Sequence, residues 1–144
     1  MPSISIDGAG GCHCGALRYR AAGSVGESVY CHCTICQRTT GAPALAAFTL
    51  AAAAFAYTRG KPAAYRSSAA GVREFCSRCG CQILWRADDG SMVAVNTPTL
   101  DAPEAMPPTL HIHAAKRLAW FDAGADLPAF AEEPERPARP GQSP

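Results

Sequence analysis

Eight cysteines in a chain of 144 residues fall into three tight clusters, and no other feature constrains the fold as strongly. Cys12 and Cys14 stand in Gly11-Cys12-His13-Cys14-Gly15. Cys31, Cys33 and Cys36 stand in Cys31-His32-Cys33-Thr34-Ile35-Cys36, and Cys76, Cys79 and Cys81 in Cys76-Ser77-Arg78-Cys79-Gly80-Cys81. Two thiolates at C-x-x-C spacing can close on one zinc ion through a tight turn whose amides hydrogen-bond the sulfurs. Gly80 follows Cys79 directly, where such a turn needs positive φ. A C-x-C pair on a regular strand would project its sulfurs to opposite faces. Both reach one ion only if the backbone bends, and Gly11 and Gly15 bracket that bend.

A structural zinc ion takes four protein ligands. The first and third clusters each supply a pair, so Cys12, Cys14, Cys76 and Cys79 make the simplest closed site, tying the start of the chain to its middle. Cys31, Cys33 and Cys36 then form a second site of three thiolates with an open fourth position, the arrangement of a reactive zinc. Three thiolates leave zinc with a net charge of about −1, so it acidifies water less than zinc held by neutral imidazoles and suits a further soft ligand. The expected chemistry is a thiol as fourth ligand, kept deprotonated and presented to an electrophile. Cys81 has two readings: a small buried core residue, or a fourth ligand closing the second cluster. His32 and His13 read first as turn residues, with ligation by His32 the alternative.

Composition narrows the class. The formal charge of +1 and pI of about 7.6 give no basic field for nucleic acid or an anionic membrane. No apolar run is long enough to span a bilayer, and Met1 to Asp7 has neither the basic nor the apolar region of a signal peptide. A soluble cytoplasmic protein is expected, in which clustered cysteines bind metal rather than form disulfides. The 48% hydrophobic fraction is inflated by alanine, so a metal staple would aid a modest core.

Short alternating runs at Ala16 to Arg20, Leu45 to Thr49, Val72 to Phe75, Ile83 to Arg86, Met92 to Val95 and Leu110 to His113 read as strands. Turn signals lie at Gly8 to Gly11, Gly23 to Gly26, Gly60-Lys61-Pro62, Asp89-Gly90 and Pro107-Pro108. One helical turn is expected at Ala51 to Ala54, with Phe55 to Thr58 extended. The pattern predicts a mostly β domain over 1–131. A disordered Pro-rich tail is expected over 132–144. His111 and His113 would share one face of the last strand. Arg38 either offsets the thiolate charge or meets a substrate carboxylate. Trp85, Trp120 and Phe121 read as core or cleft-wall residues.

The three clusters in order resemble the glutathione-dependent formaldehyde-activating family, which includes the centromere protein V domain. Cys36-Gln37-Arg38, Phe75-Cys76-Ser77-Arg78-Cys79-Gly80, Thr99-Leu100-Asp101, Pro108, His111-Ile112, Lys116, Trp120-Phe121 and Leu127-Pro128 extend the resemblance over roughly Ser3 to Ala131. It implies a small zinc-stabilised β-tent fold of stacked antiparallel sheets with short helical turns. It also implies one structural zinc at Cys12, Cys14, Cys76 and Cys79 and a second zinc at Cys31, Cys33 and Cys36. The implied activity joins a thiol, glutathione in the founding case, to formaldehyde, formally a carbon–sulfur lyase in reverse. Cys81 departs from the pattern, where Ser or Thr is more usual. Two other readings stand beside the enzyme: a non-catalytic zinc-binding interaction module, and a sensor with a labile second site. The residues name no general base; His32, His111 and His113 are the candidates. The oligomeric state is not legible.

Overall fold

A computed structural model describes residues 3–122 and 126–135. Nine strands dominate it: β1 Ser5–Gly11, β2 Arg18–Cys31, β3 Leu45–Ala51, β4 Phe55–Arg59, β5 Ala63–Ser68, β6 Gly71–Phe75, β7 Gln82–Ala87, β8 Met92–Asn96 and β9 Leu110–Ile112. One short helix, α1 Thr34–Thr40, follows β2. Single 3-10 turns lie at Ala52–Ala54, Thr97–Thr99, Pro103–Ala105 and Ala114–Lys116. The mostly β, antiparallel class is as expected, with one exception: β9 runs parallel to β2.

The 14-residue strand β2 organises the rest. Its first half pairs antiparallel with β1 and β4. A register shift between Val25 and Ser28 bends it, and its second half pairs with β3 and β9. From β3 the sheet continues in the order β8, β7, β6, β5. A bulge lets one strand leave one sheet and enter another without a loop. The two halves serve separate cores. Tyr19, Ala21 and Val25 join Phe48, Ile83, Leu84, Val93 and Val95 in the larger one. Val29 and Cys31 join Cys36, Leu45 and Ala47 in the smaller.

Two of the expected turns are strand instead. Gly8 to Gly11 lie in β1 and Gly23 to Gly26 in β2. Their glycines serve close approach rather than turning. A Cβ on Gly10 would collide with the Thr99 carbonyl and the Tyr19 phenol, because the 97–101 segment packs across this end of the β1–β2 hairpin. That packing is held by a hydrogen bond between Tyr19 Oη and Thr99 Oγ1 (2.8 Å) and by the Asp101 amide donating to the Ala9 carbonyl (2.9 Å). The Arg18 fork pairs with Asp101 beside it. Of the other turn signals, Gly60 and Gly90 have φ of 75° and 73°, while Pro107-Pro108 lie in an irregular stretch before β9.

The strand expected at Leu110 to His113 stops at Ile112, because His113 has φ 53° and ψ 38°. His111 and His113 therefore do not share a face. Trp120 is 61% exposed rather than part of the core. Of the expected tail, 132–135 carry no helix or strand, and 136–144 lie outside the described residues. Gly10→Ala is expected to destabilise the fold by about 1–3 kcal/mol through forced overpacking. A lower urea midpoint at unchanged slope would show it.

Candidate metal centres

Two hairpin turns build the first centre. Between β1 and β2, Gly15 takes φ 79° and donates to the Cys12 carbonyl (3.2 Å), while the Cys12 amide donates to Leu17 O (3.1 Å). Between β6 and β7, Gly80 takes φ 77° and donates to Cys76 O (2.8 Å), and the Cys76 amide donates to Cys81 O (2.9 Å). Each turn points its sulfurs at the other. Cys12, Cys14, Cys76 and Cys79 form one group whose sulfurs all lie within 4.8 Å of one another. Cys12 and Cys14 sulfurs stand 3.6 Å apart, and those of Cys14 and Cys76 3.7 Å.

The second centre forms where β2 runs into α1. Cys31 ends the strand, and Cys33 caps the helix, its sulfur accepting from the Cys36 amide (3.2 Å). A thiolate is a suitable anionic partner for that helix end. Gly41 ends α1 in the left-handed conformation at φ 66°. Thr39 and Thr40 hydroxyls return to the carbonyls of Ile35 and Cys36 at 2.8 and 2.6 Å. These local bonds hold a seven-residue helix that propensity does not favour. Cys31, Cys33 and Cys36 form the second group, and Cys36 Sγ donates to Cys31 Sγ across 3.3 Å.

The donor sets fit zinc. Zn–S bonds of about 2.3 Å at tetrahedral angles put sulfurs about 3.8 Å apart, close to the spacings above. The protons tell the same story. The Ala16 amide pulls the Cys14 thiol down, but burial and its hydrogen bonds to Cys12, Cys76 and Cys79 outweigh that and lift it to about 11. Cys79 is held at about 6, first by the Cys81 and Cys14 amides. Burial opposes ionisation of Cys12, yet the Leu17 amide and the neighbouring sulfurs bring it below the ordinary thiol range. In the second group, the hydrogen bond from Cys36 lowers Cys31 and raises Cys36 itself, which burial raises further. Sulfurs this close share protons unless a cation replaces them.

Cys81 belongs to neither group; it packs against the larger core, and burial raises its thiol. It does not close the second cluster. His32 is fully buried and turns away from the sulfurs, its Nε2 2.8 Å from His111 Nδ1, with Phe121 edge-on to both rings. Burial lowers its pKa. Gln37 joins α1 to the C-terminal segment by donating to the carbonyls of His32 (2.8 Å) and Lys116 (3.0 Å).

A cavity of about 300 Å³ opens over the second group, and its walls include Cys31, Cys33, Cys36, Arg73, Trp85 and His113. Neither His32 nor His111 lines it, so His113 is its imidazole among the described residues. Trp85 is a cleft wall, as expected. The guanidinium beside the sulfurs is that of Arg73, whose Nη2 reaches Cys36 Sγ at 3.5 Å; Arg38 is not among the lining residues. The sequence marks Arg73 only by its place three residues before Cys76.

Residues 7–116 match the glutathione-dependent formaldehyde-activating enzyme family. The chain belongs to that family. No curated protein matches it. Among solved structures, a Rhodobacter sphaeroides protein known from its crystal structure superimposes with a TM-score of 0.59 at 20% identity, over 72% of this chain and 98% of its own. That likeness supports the fold alone.

Anaerobic purification with zinc supplied is expected to give two zinc ions per chain by elemental analysis. Cys33→Ser should carry one and keep its strand signal in circular dichroism. Cys76→Ser should lose the ion that joins the two hairpins and melt at least ~10 °C lower.

Proposed function

We propose that this family member is a zinc-dependent enzyme of the carbon–sulfur lyase type, forming or breaking the bond between a thiol, glutathione or a similar one, and a small aldehyde. The observation that carries the reading is the second cysteine group: three sulfurs with no fourth protein ligand among the described residues, lying at the wall of a cavity large enough for a small molecule. Cys31, Cys33 and Cys36 would hold the reactive zinc, and Cys12, Cys14, Cys76 and Cys79 the structural one. The bound metal supplies an open position that keeps a fourth sulfur deprotonated near neutral pH.

The chain's own residues supply the rest. Val29, Leu45, Ala47, Trp85, Ala94 and Ile112 make the cavity largely apolar, which strengthens every charge interaction inside it. Arg73 places a positive charge against the sulfur group. When thiolate adds to aldehyde, the sulfur forms a bond to carbon and the carbonyl electron pair moves to oxygen, which takes up a proton; the reverse expels thiolate. A domain over 1–131 suffices for both centres. Cysteines grouped four and three as metal donors suit a reducing, cytoplasmic setting.

The test is spectroscopic. Glutathione titrated into cobalt-exchanged protein should change the sulfur-to-metal charge-transfer bands saturably, and Cys33→Ser should abolish the change. A spectrum indifferent to thiols would remove the enzyme reading and leave a zinc-binding interaction module.

A further inference from the structure

The cavity over the second cysteine group contains a buried charge that its protein neighbours do not satisfy. Arg73 is only 5% exposed, yet no carboxylate among the described residues pairs with it. Its neighbour on β6 shows the contrast. Glu74 points to the opposite face, where it accepts from Arg86 Nε (2.7 Å) and Nη2 (3.1 Å) and from the Tyr57 hydroxyl (3.0 Å). Successive residues of a strand face opposite ways, so Arg73 is directed away from that network and into the cavity wall. Trp85, its cross-strand partner on β7, lines the same cavity.

A guanidinium carries five N–H donors in a planar fork. Arg73 uses two of them, Nη2 in an ordinary contact to Cys36 Sγ and Nη1 at the limit of reach to Gln82 Oε1, both at 3.5 Å. Nε is buried with no acceptor at all. Leaving a buried charged donor unsatisfied is costly, and one that opens onto a cavity is placed for a water, ion or ligand to complete the set. An arginine fork matches a carboxylate best, in a planar pair of charge-assisted bonds.

We propose that Arg73 is the specificity-determining residue of this cavity and binds the carboxylate of a short mercapto-acid whose sulfur meets the second cysteine group. The inference rests on the thiol-binding reading above. The ligand class follows from one distance and the character of the walls. The guanidinium touches Cys36 Sγ, so a carboxylate held by it lies within a few bonds of the ligand's sulfur. The apolar walls favour a hydrocarbon spacer between the two. Glu27 and His113, the other ionisable side chains outside the cysteines on that lining, are both exposed, which makes the buried Arg73 the anchor for negative charge.

The experiment compares 3-mercaptopropionate with its uncharged methyl ester on zinc-loaded protein. Trp85 emission is the reporter, in a Trp120→Phe background that leaves it the sole tryptophan. The acid should bind at least about tenfold tighter than the ester, the effect of a charge-assisted pair in a dry site. Arg73→Gln should erase that preference by weakening the acid far more than the ester, with the zinc content near native, and Arg73→Lys should restore part of it. Equal affinities of acid and ester in the native protein would overturn the assignment of Arg73 and leave the thiol-binding reading intact. Parallel loss of both affinities in Arg73→Gln would reduce the residue to a structural role and overturn it equally. Binding of neither probe would overturn the mercapto-acid assignment, and the cobalt titration with glutathione decides the thiol-binding reading separately.

Discussion

Sulfur contact between two hairpin turns is the constraint on which the rest of this molecule depends. Cys14 and Cys76 are 62 residues apart in sequence, and their sulfurs lie 3.7 Å apart. An ion shared by these turns closes a long loop, and closure of that kind removes entropy mainly from the unfolded chain. Zinc binding in small peptide sites is worth about 10–16 kcal/mol, against a total stability of about 5–15 kcal/mol for a typical domain. With bulky side chains scarce among many alanines, metal at this position is of the order of the whole folding free energy. The hairpins in turn set the register of β1 on β2 and of β6 on β7. From those registers follow the position of Arg73 on one face of β6 and of Glu74 on the other.

The long strand β2 carries that order from the first centre to the second. It starts at Arg18, just past the Cys12–Cys14 turn, bends at the bulge near Val25, and ends on Cys31. Its inward residues serve the larger core before the bulge and the smaller core after it. The second centre is thus anchored at one end by a strand belonging to both cores. At the other end it depends on a seven-residue helix with purely local supports. An ion held at a site built this way could be lost without unfolding the sheet. The first centre has no such freedom, since its four cysteines belong to the turns themselves.

The two cysteine groups were legible in the sequence because their chemistry is local: cysteine spacing and a following glycine describe a turn before any tertiary contact is known. The three-dimensional grouping into four and three follows from counting ligands. The short strands were legible for the same reason, through alternation. What escaped depends on long-range contact. The glycines of β1 and β2 look like turns until the 97–101 segment and Thr49 are seen against them. Helix α1 escapes because its cap is a cysteine, a residue that capping statistics do not favour. His111 and His113 looked like one face only on the assumption of a regular strand, which the left-handed backbone at His113 breaks. Arg73 escaped because a lone arginine in a strand has no pattern; only burial without a carboxylate partner distinguishes it from Arg86, one strand position past its cross-strand neighbour Trp85.

Charge balance links the two levels. Three thiolates on a divalent ion carry about −1 in total, a charge that is costly to hold in a largely apolar cavity. The guanidinium of Arg73, touching Cys36 Sγ, brings the local sum near zero without adding a ligand. Had the fold used a fourth cysteine there, the group would be closed and doubly negative; Cys81, the one cysteine left over, packs against the other core instead. A cation beside the cluster is what allows an incoming anionic sulfur to be accepted rather than repelled. The same cation, with N–H groups to spare, has the capacity to bind a second negative group on the molecule that brings the sulfur. Reactivity and selectivity would then rest on one buried side chain, held in place by the strand pairing that the distant hairpin sulfurs fix.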